Sequence, residues 1–586
     1  MKMVYGPQGR LAFVIALLTV CLCLFVASCG KGKSTEGQTL VQANVTAAQG
    51  GTFKDRDANP HITVTIPPAA LSEDAQLKVT ELPFPPQVGP NQTAASTPFT
   101  VELSTASGTG RPTLSEPILI EIRVDTVPVH PQIGEIARLN GTQWERLQAN
   151  FFKASSRTVA ALTTATNASF RAVHRTLQTA TGIEVVSGFD AFMNETFGNA
   201  DFFTFIGLPT VLNNLSPEKA VELGVQIDID KVPAEISAFL NDPNISAADK
   251  LATLRDPATT RALVKADAVV GVKGFTANAN DTTLVVAGIT CALCHITVTP
   301  TTFPGVGALP IGKVRQDGVP NSSMDVGAIL ALTPFAQDEG QATVDLLNSW
   351  GPGRFDIRAL PDNPLEDNVN NPTVFPPIWN FIDLSAQGYL LGWDGLFKDN
   401  GTTNNALANQ AEAVYDLVMH ANGAFGTSNG TLSPEFRTTP PQQLVDALVK
   451  AETDAPGNVV VPAQKLLDVQ AWMRSIASPA PEGFDETRAF EGFRLFYGKA
   501  DCSSCHQTAE FTGPGLFKAI TAVPPSGGLV DGIKVPGLRG VSKTAPYFHD
   551  GSAATLDAAV ARLIEVLATG LTADEQSALV EYLKSL

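Results

Sequence analysis

The sequence predicts a multidomain protein in which an N-terminal antiparallel β-sandwich precedes mainly α-helical domains. Three observations carry this. The 586 residues suffice for three or four domains at the usual length of roughly 100 to 200 residues. Apolar residues recur at every second position from about Gln42 to Arg175, and at three- and four-residue spacing from about Ser216 onward. Proline-rich breaks such as Pro479-Ala-Pro481 divide the helical part.

The first element, residues 1–28, reads as a signal peptide. Lys2 and Arg10 precede an uncharged apolar run from Leu11 to Val26, long enough for a signal core and marginal for a membrane span. The run ends in Val26-Ala27-Ser28-Cys29, which resembles the lipobox of bacterial lipoproteins. That resemblance implies a diacylated Cys29 as the first mature residue; an uncleaved anchor helix is the alternative. Gly30 follows where an Asp would signal inner-membrane retention, implying a lipid anchor on the periplasmic face of the outer membrane, with the cell surface also open. Residues 29–41, polar and Gly-containing at Lys31 to Gln38, form a tether.

Residues 42–177 form the sandwich. Ile118, Ile120, Ile122 and Val124 alternate with polar positions, as do Leu77 and Val79, and Asn140-Gly141 before Trp144 signals a hairpin. The run Ile66-Pro67-Pro68-Ala69-Ala70-Leu71 resembles ZU-type sandwich domains, and no chemistry is assigned to it. His130, His174 and Trp144 are expected in packing or surface roles. Residues 178–285 are a helical linker region, with Ser216-Pro217-Glu218 as a helix start and Ser246 to Asp249 as a capping box. Further helices are expected over Gln442 to Lys450, Ala463 to Ile476, Glu486 to Tyr497 and Thr572 to Leu586, within domains spanning 286–478 and 479–586.

Forty Lys plus Arg against 58 Asp plus Glu give a net charge of −18, a field that repels phosphate backbones, so nucleic acid is not an expected partner. The seven cysteines are more informative. Three lie in the first 30 residues, and four form two identical patterns, Cys291-Ala-Leu-Cys294-His295 and Cys502-Ser-Ser-Cys505-His506. In C-x-x-C-H, two thiols three residues apart add to the two vinyl groups of one porphyrin, and the adjacent His becomes the proximal iron ligand. The expected cofactors are therefore two covalent heme c groups, on Cys291, Cys294 and His295 and on Cys502, Cys505 and His506, which makes the helical domains c-type cytochrome domains. One zinc held by both cysteine pairs is the rival reading; it needs no His after each pair and suits a reducing compartment better.

Between and beyond these motifs run Asn371-Pro-Thr-Val-Phe375, Trp379-Asn380, Gly392-Trp393-Asp394-Gly395, Asn409-Gln410-Ala411, Phe493-Arg-Leu-Phe496-Tyr-Gly498, Phe511-Thr512 and Val535-Pro-Gly-Leu-Arg539 through Thr544-Ala-Pro-Tyr547-Phe-His549-Asp-Gly551. These segments, from about Gly288 to Leu586, resemble the bacterial diheme cytochrome c peroxidase and MauG family; Trp350-Gly-Pro-Gly-Arg354-Phe-Asp356 is also similar to the related diheme rubber oxygenases. The resemblance implies chemistry at the N-terminal heme, electrons fed from the C-terminal one, and Trp393 between them. It implies hydrogen peroxide or O2 as substrate and a periplasmic donor, a small cytochrome c or a cupredoxin.

The chain departs from that pattern at three places. Ile311-Gly312-Lys313 stands where the peroxidases carry an Ile-Gly-His, so the first iron is expected open or water-bound, with Met324 and Lys313 as alternative sixth ligands. Ten residues beyond Gln410, where the family has a distal Glu, stands His420, a candidate proton shuttle that also suits a helix end before Asn422-Gly423. Leu563 replaces the family's second-heme Met and no Met follows Met473, leaving His549, Tyr547 or Tyr582 as the sixth ligand there. The expected function is a diheme peroxidase or peroxide- or O2-dependent oxidase, with an electron-transfer cytochrome and a rubber-oxygenase-like dioxygenase as alternatives.

Overall fold

The computed structural model describes residues 37–197, 199–356, 370–385, 390–391, 393, 397–398, 463–513, 516–517 and 533–586. The chain folds as two compact units: one holds most of the residues up to 173, the other residues 127–134, 151–156 and 174–586.

Two antiparallel sheets run through residues 39–176, most of which belong to the first unit. Their strands are β1 (Thr39–Val45), β2 (Gly51–Lys54), β3 (Ile62–Ile66), β4 (Ala75–Glu81), β5 (Gln92–Ala94), β6 (Phe99–Thr105), β7 (Ile118–Arg123), β8 (Gln132–Asn140), β9 (Gln143–Arg146), β10 (Ala149–Lys153), β11 (Thr158–Thr163) and β12 (Ala168–Thr176). One sheet runs β1-β4-β6-β12-β8-β9 with β5 beside β12, the other β10-β11-β7-β3-β2. The period-two pattern is the cause: Leu77, Val79, Val101 and Leu103 bury one face of the first sheet, and Ile62, Val64, Ile118, Ile120 and Ile122 one face of the second. Asn140 pairs with Gln143 across the expected hairpin, and Gly141 takes the left-handed φ of 60° that the turn requires. Trp144 is buried, with its Nε1 donating to the Pro86 carbonyl at 2.9 Å.

The second unit is mainly helical, but it also carries strands where helices were expected. A hairpin, Val272–Thr276 with Leu284–Ile289, and a three-stranded sheet of Ile227–Asp228, Val298–Phe303 and Gly307–Val314 lie between the helices. The two predicted caps form, Ser216 accepting from the Lys219 N–H and Ser246 from the Asp249 N–H, and Thr572 with Glu575 adds a capping box at the last helix. The helices found at Ala463–Arg474, Glu486–Phe496 and Ala573–Lys584 match three of the expected four. The fourth, Gln442 to Lys450, lies outside the described residues. One buried apolar cluster, drawn from described residues between Phe203 and Phe375, includes Leu293 and Phe375 and receives Cys294 at its edge. Residues of 178–285, expected as a linker region, are therefore part of the core that supports the first cysteine pair. Among the described residues no helix is long and apolar enough to cross a membrane.

Candidate functional site

The two pentapeptides fold alike. His295 N–H donates to the Cys291 carbonyl at 3.3 Å, and His506 N–H to the Cys502 carbonyl at 3.0 Å, each closing one helical turn. Residues i, i+3 and i+4 of a turn share a face, so both thiols and the imidazole of each motif point to one side. These four cysteines are free thiols, and burial pushes Cys291 up to about 11 and Cys294 and Cys502 up to about 12, so these three are not thiolates at neutral pH. Among the described residues no group of three or more His, Cys, Asp or Glu is placed to hold a metal ion, so the two cysteine pairs do not converge on one zinc site.

His295 stands near two aromatic rings, Phe192 at 6.5 Å and Phe375 at 6.3 Å. Burial lowers it to about 4, against the Pro376 carbonyl beside it, which favours the charged ring. Its Nδ1 nonetheless lacks a well-aligned hydrogen bond. Behind the turn, Asn321 donates its backbone N–H to the Cys294 carbonyl at 2.8 Å and its Nδ2 to the Gly224 and Leu293 carbonyls at 3.0 and 3.3 Å.

His506 is held more tightly. Its Nδ1 lies 2.6 Å from the Phe511 carbonyl. A carbonyl only accepts, so Nδ1 carries the proton and Nε2 presents a lone pair, the tautomer a metal-bound imidazole needs. Phe511 reaches this position with a left-handed φ of 53°, an uncommon conformation for a bulky residue that is retained where the surroundings over-determine it. Burial, more than the Lys534 ammonium, lowers His506 to about 4, and Lys534 is itself lowered to about 8 by burial.

Around each imidazole the same helix pair recurs. In Ile183–Asn194 the segment Gly188-Phe189-Asp-Ala-Phe192 packs on Ala463–Arg474; in Glu486–Phe496 the segment Gly492-Phe493-Arg-Leu-Phe496 packs on Ala573–Lys584. A Cβ at Gly188 would stand 1.8 Å from the Asp468 carbonyl oxygen, and one at Gly492 2.1 Å from that of Ala578. Four residues beyond those carbonyls, Trp472 lies 4.3 Å from Phe192 and Tyr582 lies 5.2 Å from Phe496, while Phe496 lies 6.2 Å from His506. The repeated Gly-Phe-x-x-Phe is legible in the sequence, but the first copy stands about a hundred residues before its cysteines, too far for a local pattern to join them.

Trp393 is hydrogen-bonded to a residue near each group. Its Nε1 donates to the Val374 carbonyl at 2.9 Å, next to Phe375 at the His295 ring, and its carbonyl accepts from the Lys534 N–H at 2.8 Å, beside His506. Val374 N–H in turn donates to the His549 carbonyl at 2.8 Å, and His549 is buried. Met324 is fully buried in the large apolar cluster, Lys313 is exposed on the Gly307–Val314 strand, and Leu563 is half-buried. Burial pushes Tyr547 up to about 12, and Tyr582 is buried among the phenylalanines. His420 and Cys29 lie outside the described residues.

The residues fit heme c: thiols and imidazole on one face of a turn, a neutral ring, and an Nδ1 engaged by a backbone carbonyl at His506. No protein-family model matches the chain. Cytochrome c551 peroxidase of Nitrosomonas europaea is 37% identical over 298 residues, 47% of this chain and 84% of that protein. Methylamine utilization protein MauG of Methylorubrum extorquens is 34% identical over 88 residues, 13% of this chain and 25% of MauG. A crystal structure of a MauG-like protein associated with microbial copper homeostasis matches with a TM-score of 0.18 and 19% identity, covering 22% of this chain and 57% of that one. On the match that runs through most of the Nitrosomonas protein, the chain belongs to the diheme cytochrome c peroxidase family.

Proposed function

We propose that this chain is a diheme c-type cytochrome that reduces hydrogen peroxide, or uses peroxide or O2 to oxidise a substrate, on the periplasmic side of an outer membrane. Cys291 and Cys294 would hold one heme with His295 as iron ligand, and Cys502 and Cys505 the other with His506. Heme c supplies an iron that changes charge by one electron and offers a sixth position to peroxide. The observation that carries the reading is the pair of like turns, each backed by the same glycine-crossed helix pair, with Trp393 hydrogen-bonded toward both.

The residues divide the work. The His506 ring, oriented by the Phe511 carbonyl, suits a fixed electron-transfer centre, because a second-shell acceptor fixes ring orientation and raises ligand basicity. The His295 ring, with its looser Nδ1, suits the reacting centre. Lys313, exposed on its strand, supports an open sixth position there, and His420 is the proposed proton shuttle, since an imidazole titrates near neutral pH. Trp393 is proposed to pass electrons from the C-terminal to the N-terminal centre, and His549 to be the sixth ligand at His506 or its neighbour. The donor would be a small periplasmic cytochrome c or a cupredoxin, and an acylated Cys29 would tether the protein to the membrane.

Mixing the fully ferric, heme-loaded protein with peroxide in a stopped-flow instrument tests this. An immediate spectral change supports the reading. An unchanged spectrum until one electron is added replaces it with a closed, activated peroxidase or a pure electron carrier, and O2 uptake without peroxide favours the dioxygenase alternative.

A further inference from the structure

Behind the second centre lies a buried charge cluster that the proposed reaction leaves unused. Asp383, Glu510 and Arg539 are each less than a tenth exposed, and the Arg175 side chain is 12% exposed. Arg175 Nη1 lies 3.5 Å from Asp383 Oδ1 and its Nη2 3.7 Å from Glu510 Oε1; Arg539 Nε lies 3.4 Å from that same oxygen. Asp383 accepts from the Gln178 N–H at 3.1 Å and from its Nε2 at 3.2 Å, and Glu510 Oε2 accepts from Asn380 Nδ2 at 2.8 Å. Glu510 Oε1 accepts no hydrogen bond, so its lone pairs are available to a proton.

This cluster shares its backbone with the group that orients His506. Glu510 immediately precedes Phe511, whose carbonyl takes the His506 Nδ1 proton. Arg539 donates from Nε to the Ala509 carbonyl at 2.8 Å, and its guanidinium stands 5.1 Å over the Phe511 ring. Two guanidiniums and two carboxylates balance, so an electron added nearby would leave an uncompensated negative charge in a dry site, which is costly.

We propose that Glu510 is a proton-coupling positioning residue of the second centre. When the iron held by His506 takes one electron from an external one-electron reductant, the Glu510 carboxylate takes one proton from solvent, and it returns the proton on oxidation. No other bond forms or breaks, and the local charge is unchanged. Burial already raises Glu510, with Arg539 and Arg175 opposing and Asp383 adding to the rise; among the described residues these three are the charged groups that face it.

The inference rests on His506 being a heme ligand. The test is a spectroelectrochemical titration of the full heme-loaded protein from about pH 5 to 9, with the second centre's wave identified by its loss in Cys502→Ser. In the wild type the redox equilibrium should shift up to tenfold per pH unit, which is about 59 mV for one electron, with the potential falling as pH rises. Glu510→Gln should flatten that dependence. Arg175→Gln should move the sloping region to higher pH and Asp383→Asn to lower pH, which decides the matter if Glu510→Gln does not fold. A slope that survives Glu510→Gln, a flat wild type with both hemes present, or shifts of the same sign in the other two variants would overturn the proposal. A wild type without heme on Cys502 and Cys505 would overturn the heme reading, and this one with it.

Discussion

Replacing Gly188 or Gly492 by alanine separates the two centres experimentally. At an exposed helix position Gly→Ala stabilises by about 1 kcal/mol. Here the added Cβ would stand 1.8 Å from the Asp468 oxygen and 2.9 Å from the Trp472 Cβ, or 2.1 Å from the Ala578 oxygen and 2.8 Å from the Tyr582 Cβ. Backbone carbonyls inside a helix cannot turn away, so each helix pair must part by about 1 Å, a gap that forfeits a quarter to a half of each dispersion contact across it. Overpacking of this kind costs about 1–3 kcal/mol. Backbone clashes belong at the upper end, and subtracting the propensity gain leaves about 2 kcal/mol. At about 1.4 kcal/mol per tenfold, amide exchange in the affected pair should quicken roughly 30-fold. Hydrogen–deuterium exchange read by mass spectrometry on the heme-loaded protein localises the effect. Gly188→Ala should deprotect residues 183–194 and 463–474 alone, and Gly492→Ala residues 486–496 and 573–584 alone. Unchanged or stronger protection in either variant would refute the close-packing argument, and loss at both pairs would refute the independence of the two centres.

Further outcomes follow from the sequence and the geometry together. Intact mass after expression with heme-maturation machinery should show two heme additions, and Cys29→Ser should release the protein from membranes; one heme, or continued membrane association, contradicts the respective assignment. Asn321→Ala should cost about 1–3 kcal/mol, because the Gly224 and Leu293 carbonyls lose a buried donor; a neutral effect in denaturant titration would show that water replaces the amide. Met324→Leu, a near-isosteric change in the apolar cluster, should cost under about 1.5 kcal/mol and leave the heme spectrum unaltered, whereas an altered spectrum would make Met324 a ligand. His420→Ala should slow the ferric protein's reaction with peroxide at least tenfold, toward the roughly 10²- to 10⁴-fold of a lost proton shuttle; Trp393→Phe should slow the return to the resting spectrum more than the initial reaction, and equal slowing of both would argue against a relay.

Much of this was legible in the sequence because it is local. Alternation at Ile118, Ile120 and Ile122 specifies a strand face whatever it packs on, and Ser216, Ser246 and Thr572 cap helices through bonds spanning three residues. A C-x-x-C-H pentapeptide likewise holds its chemistry in one helical turn. What only the tertiary structure decided is which distant segments serve each turn. Phe192, Phe375 and Trp472 come to the first motif from positions about 100 residues before it and about 80 and 180 after it, as read from their numbers, and nothing in a local pattern weighs such long loop closures. The charged cluster has the same origin. Arg175, Asp383, Glu510 and Arg539 are unremarkable singly, and they become a proton-coupling candidate only because folding removes them together from water, where the cost of an unbalanced charge rises steeply.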